Sequence, residues 1–468
     1  MQANMMKEEL ITISPIDGSE FVRRPYASES QIEQTLRRAQ TAQKAWAARP
    51  LSERLALVGR AVEHFVQNKA TIAEAITRQM GRPLRYTAGE VDGFASRARH
   101  MMAIAEDALK PVQVEPQAGF TRFISREPVG VVLTIAPWNY PLLTAVNSIV
   151  PALLAGNAVI LKHSDQTPLC AELIHQAFVQ AEVPEGVFQY LHVDHERVRR
   201  LIHANEIGFV CFTGSVGGGR IVEEAAAGRF IGVGLELGGN DPAYVRSDAN
   251  LDYAAETLVD GAFFNSGQSC CGIQRIYVAQ PLYKDFVERA VALTNQYVLG
   301  NPLDAQTTLG PVVRTAAADG VRAVIAEALA KGAKNLIDES RFELSRAGTP
   351  YVAPGVFVDV DHGMTLMNDE CFGPVVGIMP VTGDEQAIEL MNDSPYGLTA
   401  SVFTSDEEAA LSVGRRVETG TFFMNRCDYL DPALAWTGVK NTGRGATLSA
   451  IGYEHLTRPK SFHLKTRL

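Results

Sequence analysis

Only six cysteines occur in the 468-residue chain: Cys170, Cys211, Cys270, Cys271, Cys371 and Cys427. None of them forms a CxxC pair, which excludes a disulfide framework or a cysteine zinc site. Basic runs are missing as well, and the net charge of -10 leaves no footprint for a nucleic-acid partner. No long apolar run is present either. The longest stretch, residues 149–161, is interrupted by Pro151, Gly156 and Asn157 and is too short to span a bilayer. The start, Met1 to Leu10, holds Lys7, Glu8 and Glu9 without an apolar core, so no secretory signal is expected. Internal repeats and Pro/Ser-rich linkers are absent too. These absences predict a cytoplasmic protein in a reducing compartment that acts on a small molecule, with no metal, membrane or nucleic acid.

What is present suits a globular protein. A hydrophobic share of 46% and a charged share of 21% allow several buried cores without covalent staples. The length suggests about three domains, or two large ones with an accessory piece. Ser28 and Gln31 have capping-box spacing, and Ile32, Leu36, Ala39, Ala42 and Trp46 follow at helical intervals. A second helix is predicted from Ser52, with Leu55, Val58, Val62 and Phe65 inward. From residue 129 short apolar runs alternate with helical stretches: strands at 129–135, 158–161, 187–193, 207–212 and 232–237, with a helix over 167–181. Such alternation predicts a parallel, doubly wound sheet that binds ligands at the carboxyl ends of its strands. A second α/β alternation runs over about 250–440, with strands near 275–278, 375–380 and 421–424. The segment 111–126 reads as a hairpin leaving the first domain, and the tail 461–468 as a strand that pairs with a similar element.

Candidate chemistry collects at those strand ends. Thr213-Gly214-Ser215-Val216-Gly217-Gly218-Gly219 leads from a strand into a helix, and free N–H groups at a helix start favour phosphate. The spacing is not GxGxxG, so an ordinary strand-to-helix turn also fits. Lys162 and Asp165 end a neighbouring strand, where ribose hydroxyls would suit them; a solvated surface pair is the bland alternative. Gly267-Gln268-Ser269-Cys270-Cys271 surrounds a thiol with small and polar residues, as a nucleophile requires. Glu236, between Leu235 and Leu237, would gain basicity from an apolar setting. Asn139, inside Pro137-Trp138-Asn139-Tyr140-Pro141, offers a rigidly held amide to an oxyanion. Singly, Glu236 fits a sheet-edge ion pair and Asn139 a helix cap; together they fit catalysis.

These motifs, joined by Phe264-Asn265, by Glu370 with Phe372-Gly373-Pro374-Val375, and by Asn425 and Lys440, resemble the aldehyde dehydrogenase superfamily over nearly the whole chain. The resemblance implies Cys270 as nucleophile, Glu236 as base and Asn139 with the Cys270 amide as oxyanion donors. It places Lys162, Asp165, Ser215 and Glu370 on the dinucleotide, with Trp138, Gly214, Gly219 and Phe372 shaping its bed. Cys271 becomes a small packing residue. The implied fold is α/β: a Rossmann-like dinucleotide domain (1–109 and 128–238), a second α/β catalytic domain (239–445) and a small bridging β element (110–127 and 446–468). A homodimer or homotetramer is implied, the tail strand docking on a neighbouring subunit.

The implied reaction is oxidation of an aldehyde to its acid through a cysteine thiohemiacetal and a thioester. Glu236 favours water as acyl acceptor over CoA, because acylating relatives generally lack that carboxylate. A catalytically silent binding protein of the same fold is the third reading, disfavoured by the joint presence of Cys270, Glu236 and Asn139. Departures from the family bear on specificity. His163 replaces its usual proline, Asn240 its usual lysine, and Asp165 a longer acid. Asp165 still opposes a 2′-phosphate, so NAD is expected over NADP. Trp436 matches the betaine and amino aldehyde branch; Tyr140, Phe264 and Trp436 then line the substrate path, with Asp428 or Asp431 near. Neutral and amino aldehydes are the expected substrates. No arginine follows Pro-Trp-Asn-Tyr-Pro within the next helix, which disfavours a carboxylate-bearing aldehyde and leaves only Arg426 to support one.

Overall fold

The computed structural model describes residues 8–467. The first seven residues and Leu468 lie outside that range, and with them most of the segment Met1 to Leu10 in which no secretory signal is expected. Strands β1 (Glu9–Ile13) and β2 (Glu20–Pro25) form an antiparallel ribbon. Helix α1 (Glu29–Ala47) starts with the expected capping box: the Ser28 hydroxyl accepts from the Gln31 amide while the Gln31 side chain accepts from the Ser28 amide. Ile32, Leu36, Ala39 and Trp46 are its buried stripe. Helix α2 (Leu51–Gln67) buries Leu57, Val58, Val62 and Phe65, whereas the expected Leu55 stays half-buried. Helices α3 (Lys69–Met80) and α4 (Leu84–Leu109) complete the helical layer.

The hairpin expected at 111–126 is β3 (Val112–Gln113) with β4 (Phe120–Pro128). The doubly wound sheet then follows in chain order: β5 (Val131–Ala136), α5 (Leu143–Leu154), β6 (Ala158–His163), α6 (Pro168–Gln180), β7 (Phe188–Tyr190), α7 (His195–His203), β8 (Ile207–Thr213), α8 (Val216–Ala226) and β9 (Gly232–Glu236). Its order, β9-β8-β5-β6-β7, is parallel throughout. Val131 to Ala136 and Ala158 to His163 are buried along their whole length, because helices cover both faces. The order reverses between β5 and β8, so ligands are expected at that switch point.

The second sheet takes β10 (Asp241–Val245), helix α9 (Leu251–Phe263), β11 (Ile273–Ala279), β12 (Lys334–Asn335), β13 (Gly355–Val358), β14 (Val375–Val381), β15 (Thr399–Phe403) and β16 (Thr421–Met424) in the order β12-β13-β14-β11-β10-β15-β16. Strand β17 (Gly443–Arg444) returns to the first sheet, antiparallel to β9. Finally β18 (Thr457–Lys465) pairs along its full length with β4 of the same chain, with Phe123 stacked on Phe462 at 4.7 Å. The expected tail strand is thus intramolecular on one edge, and its other edge has no strand partner among the described residues.

Candidate active site

The loop that leads to Cys270 is a strained segment clamped from several sides. Asn265, Ser266 and Gly267 are successive left-handed residues (φ 53°, 56° and 71°) just before Gln268-Ser269-Cys270. Only glycine adopts that region freely; the other two cost about 1–2 kcal/mol each. Gly267 is also sterically required, since a Cβ there would come within 2.0 Å of the Gly373 carbonyl. The strain persists because neighbours fix the loop. Arg82 Nε donates to Asn265 Oδ1 at 3.0 Å, the Ser266 hydroxyl donates to the Gly310 carbonyl at 2.8 Å, and the Val313 amide donates to Gln268 Oε1 at 2.7 Å. Arg82 itself is buried, paired with buried Glu90, and also donates to the Asn139 carbonyl. Glu90 accepts from the Leu142 amide at 2.9 Å. One buried ion pair therefore ties the cysteine loop to the Pro-Trp-Asn-Tyr-Pro turn.

Cys270 is free and half-buried at the wall of a cavity of about 650 Å³. Glu236, Tyr140, Phe264, Trp436 and Asp428 line the same cavity; Asp431 is not on its wall. Asn139 does not line the cavity but stands just behind it, 6% exposed, its side-chain amide donating to the Gln268 carbonyl at 3.2 Å. Glu236 ends β9 and accepts from the hydroxyls of Thr213 at 3.0 Å and Thr447 at 2.5 Å. Burial pushes its carboxyl above the ordinary range, and those two bonds pull it part of the way back. That balance suits a general base. Cys271 is buried, as a packing residue would be, yet its thiol donates to Asp428 Oδ1 at 3.0 Å, beside the Ser269 hydroxyl at 2.9 Å. Its hydrogen bond with Cys270, then burial, push the Cys271 thiol well up, away from the thiolate form that a nucleophile needs.

The residues expected to hold the dinucleotide gather at the carboxyl ends of the first sheet. Ser215 is the N-cap of α8, its hydroxyl accepting from the Gly218 amide at 3.1 Å, with Gly214 before it and Gly219 buried in the first turn. Lys162 Nζ and Asp165 Oδ1 meet at 3.0 Å, and the Tyr26 hydroxyl donates to Asp165 Oδ2 at 2.6 Å. The two expected ribose ligands are thus held by each other. Glu370 Oε1 accepts from the Gly239 amide at 2.9 Å; burial raises its carboxyl to about 7. A Cβ at Gly238 would lie 2.2 Å from Glu370 Oε2, so that glycine makes room for the carboxylate. Trp138 meets the Phe372 ring edge-on at 5.6 Å.

These positions match a known arrangement along the whole chain: residues 2–462 match the aldehyde dehydrogenase family. The chain belongs to that family. It is 34% identical to the succinate semialdehyde dehydrogenase of Escherichia coli (strain K12), named for NAD(P)+, over 94% of this chain and 95% of that protein. It is 32% identical to betaine aldehyde dehydrogenase 1 of Rhizobium meliloti, over 97% and 93%. The solved succinic semialdehyde dehydrogenase of Streptococcus pyogenes, in complex with NADP+, superposes with a TM-score of 0.93 at 28% identity, covering 97% of this chain and 100% of that one. The enzyme is an oxidoreductase of aldehydes that uses NAD(P). Among the described residues no helix is long and apolar enough to cross a membrane.

Two departures from the family now have structural accounts. The His163 ring, buried where the family has proline, donates through Nε2 to the Pro141 carbonyl at 2.9 Å and accepts at Nδ1 from the Ser164 amide. Asn240 donates to the Asp369 carbonyl at 2.7 Å and so anchors the loop that carries Glu370. Asn425 and Lys440 are loop fasteners: the former exchanges hydrogen bonds with the Thr404 backbone, the latter binds the Asn392 carbonyl at 2.8 Å. Sequence reasoning missed Arg82, Glu90 and Arg97, all on or before α4. Their signal was available: Glu90 and Arg97 fall on the stripe that also holds Val91, Phe94, Ala98 and Met101. Charges on an apolar stripe mark buried polar machinery.

Proposed function

We propose that the enzyme hydrolyses its acyl intermediate, with Cys270 as nucleophile, Glu236 as general base and Asn139 as oxyanion donor. The observation that carries this reading is the shared cavity wall of Cys270 and Glu236. The Cys270 thiolate adds to the aldehyde carbon, and the Asn139 amide with the Cys270 N–H hold the resulting oxyanion. Bound NAD(P) supplies the hydride acceptor. Its fit is supported by the N-capped start of α8, by Lys162, and by the Gly238–Glu370 contact, all at the carboxyl ends of strands in the first sheet. Glu236 then takes a proton from water as that water attacks the thioester, and the acid leaves from Cys270.

NAD is the proposed preference. Asp165, fixed by Tyr26 and Lys162, keeps negative charge beside the ribose position, where a 2′-phosphate would be repelled. The named relatives include users of NADP+, so parallel kinetics with both dinucleotides test this point. The division into 1–109 with 128–238, 239–445, and 110–127 with 446–468 is supported by three of the four sheets, with β17 crossing back to the doubly wound one. A homodimer or homotetramer is supported by the open edge of β18, and a cytoplasmic setting by six free cysteines. The deciding experiment follows NADH and acid formation from a panel of aldehydes with and without CoA. Acid without CoA supports hydrolysis; acyl-CoA formation or no turnover removes it.

A further inference from the structure

One cation lines the catalytic cavity, and it comes from an unexpected element. Arg97, on α4, is 8% exposed and reaches the cavity beside α5. Its Nη1 donates to the Leu143 carbonyl at 2.7 Å and to Asn147 Oδ1 at 3.2 Å. Both acceptors belong to the helix in which the sequence offered no arginine. The missing charge is therefore supplied in space by a different helix.

Its bonding is incomplete. Among the described residues no carboxylate lies within ion-pair distance of Arg97, and its Nε and Nη2 find no protein acceptor. Arg275, still more deeply buried and away from the cavity, differs: its Nε, Nη1 and Nη2 all donate to neighbouring groups. Two of the cavity's acids are engaged by neighbouring side chains. Glu236 is held by Thr213 and Thr447, and Asp428 by Ser269 and Cys271. Glu256 and Asp260, on α9, also line the cavity, and burial raises the Asp260 carboxyl. Burial lowers the guanidinium pKa, against the longer-range pull of Glu236, Cys271, Glu90 and Cys270. The free Nε–Nη2 edge is the fork that binds a carboxylate through two parallel bonds.

We infer that Arg97 is a specificity-determining residue that grips a carboxylate carried by the aldehyde substrate, while the aldehyde carbon sits at Cys270. The inference rests on the proposed role of Cys270 and replaces the expectation of neutral or amino aldehydes with that of a compact oxo-acid.

The test compares succinic semialdehyde, butanal and 4-aminobutanal, which share one chain length, in the wild-type enzyme and in Arg97→Met. The wild type is expected to prefer succinic semialdehyde in kcat/KM. In Arg97→Met the ratio of kcat/KM for succinic semialdehyde over butanal should fall on the order of a hundredfold, through KM, as expected for a lost charged hydrogen bond. An equal loss on both aldehydes overturns the inference, because Arg97 then acts through Glu236 or the fold. A wild-type preference for butanal or 4-aminobutanal overturns it too, while leaving the aldehyde oxidation mechanism intact. A variant-free check uses inhibition of wild-type butanal oxidation: competition by succinate but not by succinamide supports the carboxylate grip, and equal effects refute it. Turnover of none of the three aldehydes would instead count against the Cys270 mechanism; a rise in Tm with succinate, absent with succinamide, then still decides the carboxylate question either way.

Discussion

The Asn139 side-chain amide donates to the main-chain carbonyl of Gln268 at 3.2 Å, two residues before Cys270. That carbonyl has a second donor, Asn265 Nδ2 at 3.1 Å. Removing the Asn139 amide therefore leaves no orphaned acceptor, so Asn139→Ala should fold normally. Turnover should nevertheless drop by roughly two to three decades, the usual cost of losing one oxyanion donor. Steady-state kinetics beside a thermal melt check this; a loss below about threefold removes Asn139 from the oxyanion site.

Glu236 should matter after the thioester forms, not before. With Glu236→Gln, the bonds from Thr213 and Thr447 retain an acceptor while the base is gone. The expected result is a rapid burst of NADH, about one per active site, followed by a steady rate lower by roughly two to four decades. Stopped-flow absorbance and mass spectrometry of the acylated Cys270 peptide measure both. Loss of the burst together with the steady rate would assign Glu236 to thiol activation instead.

Much of this site was legible because each motif ends a strand of a regular sheet, where chain order and spatial order agree. Cys270, Glu236, Tyr140, Phe264 and Trp436 come together on one cavity wall as anticipated. Strand β16 has the bounds that its residues suggested, and the capping box of α1 holds in detail. What stayed hidden depends on contacts between distant segments. Lys162 and Asp165 looked like two separate ligands until Tyr26, far away in sequence, proved to fix the pair. Arg97 is not legible along α5, because the charge reaches Asn147 from α4. The left-handed turn at Asn265 and Ser266 depends on Arg82 and Gly310, and no local pattern announces it.

The Arg82–Glu90 pair is the keystone of that turn, and breaking one side of it strands a buried charge. Arg82→Met should cost about 3–5 kcal/mol of stability, measured by urea unfolding. Activity should fall beyond what stability explains, since Asn265 and the Asn139 carbonyl lose a shared donor. The double variant Arg82→Met/Glu90→Leu should recover only part of the loss, because Glu90 also accepts from the Leu142 amide. Full recovery would show the pair to be dispensable for holding the loop.

Glu370 gives the fold a pH dependence of known sign. Its carboxyl is raised by burial from 4.5 to about 7, against the bond from the Gly239 amide. The folded state therefore holds the proton more tightly than the unfolded chain. The associated stability is fully present below pH 4.5 and is lost as pH rises through about 7. Over that window Glu370 should contribute a decline of about 3 kcal/mol. Glu370→Gln keeps an acceptor for the Gly239 amide without the titration, so its advantage over the wild type should grow by about that amount between pH 4.5 and pH 8. Paired urea titrations at several pH values give the difference directly, free of the other groups that titrate in both proteins. A constant gap across the range would mean that Glu370 is hydrated and charged throughout, and its contact with Gly238 looser than the geometry implies.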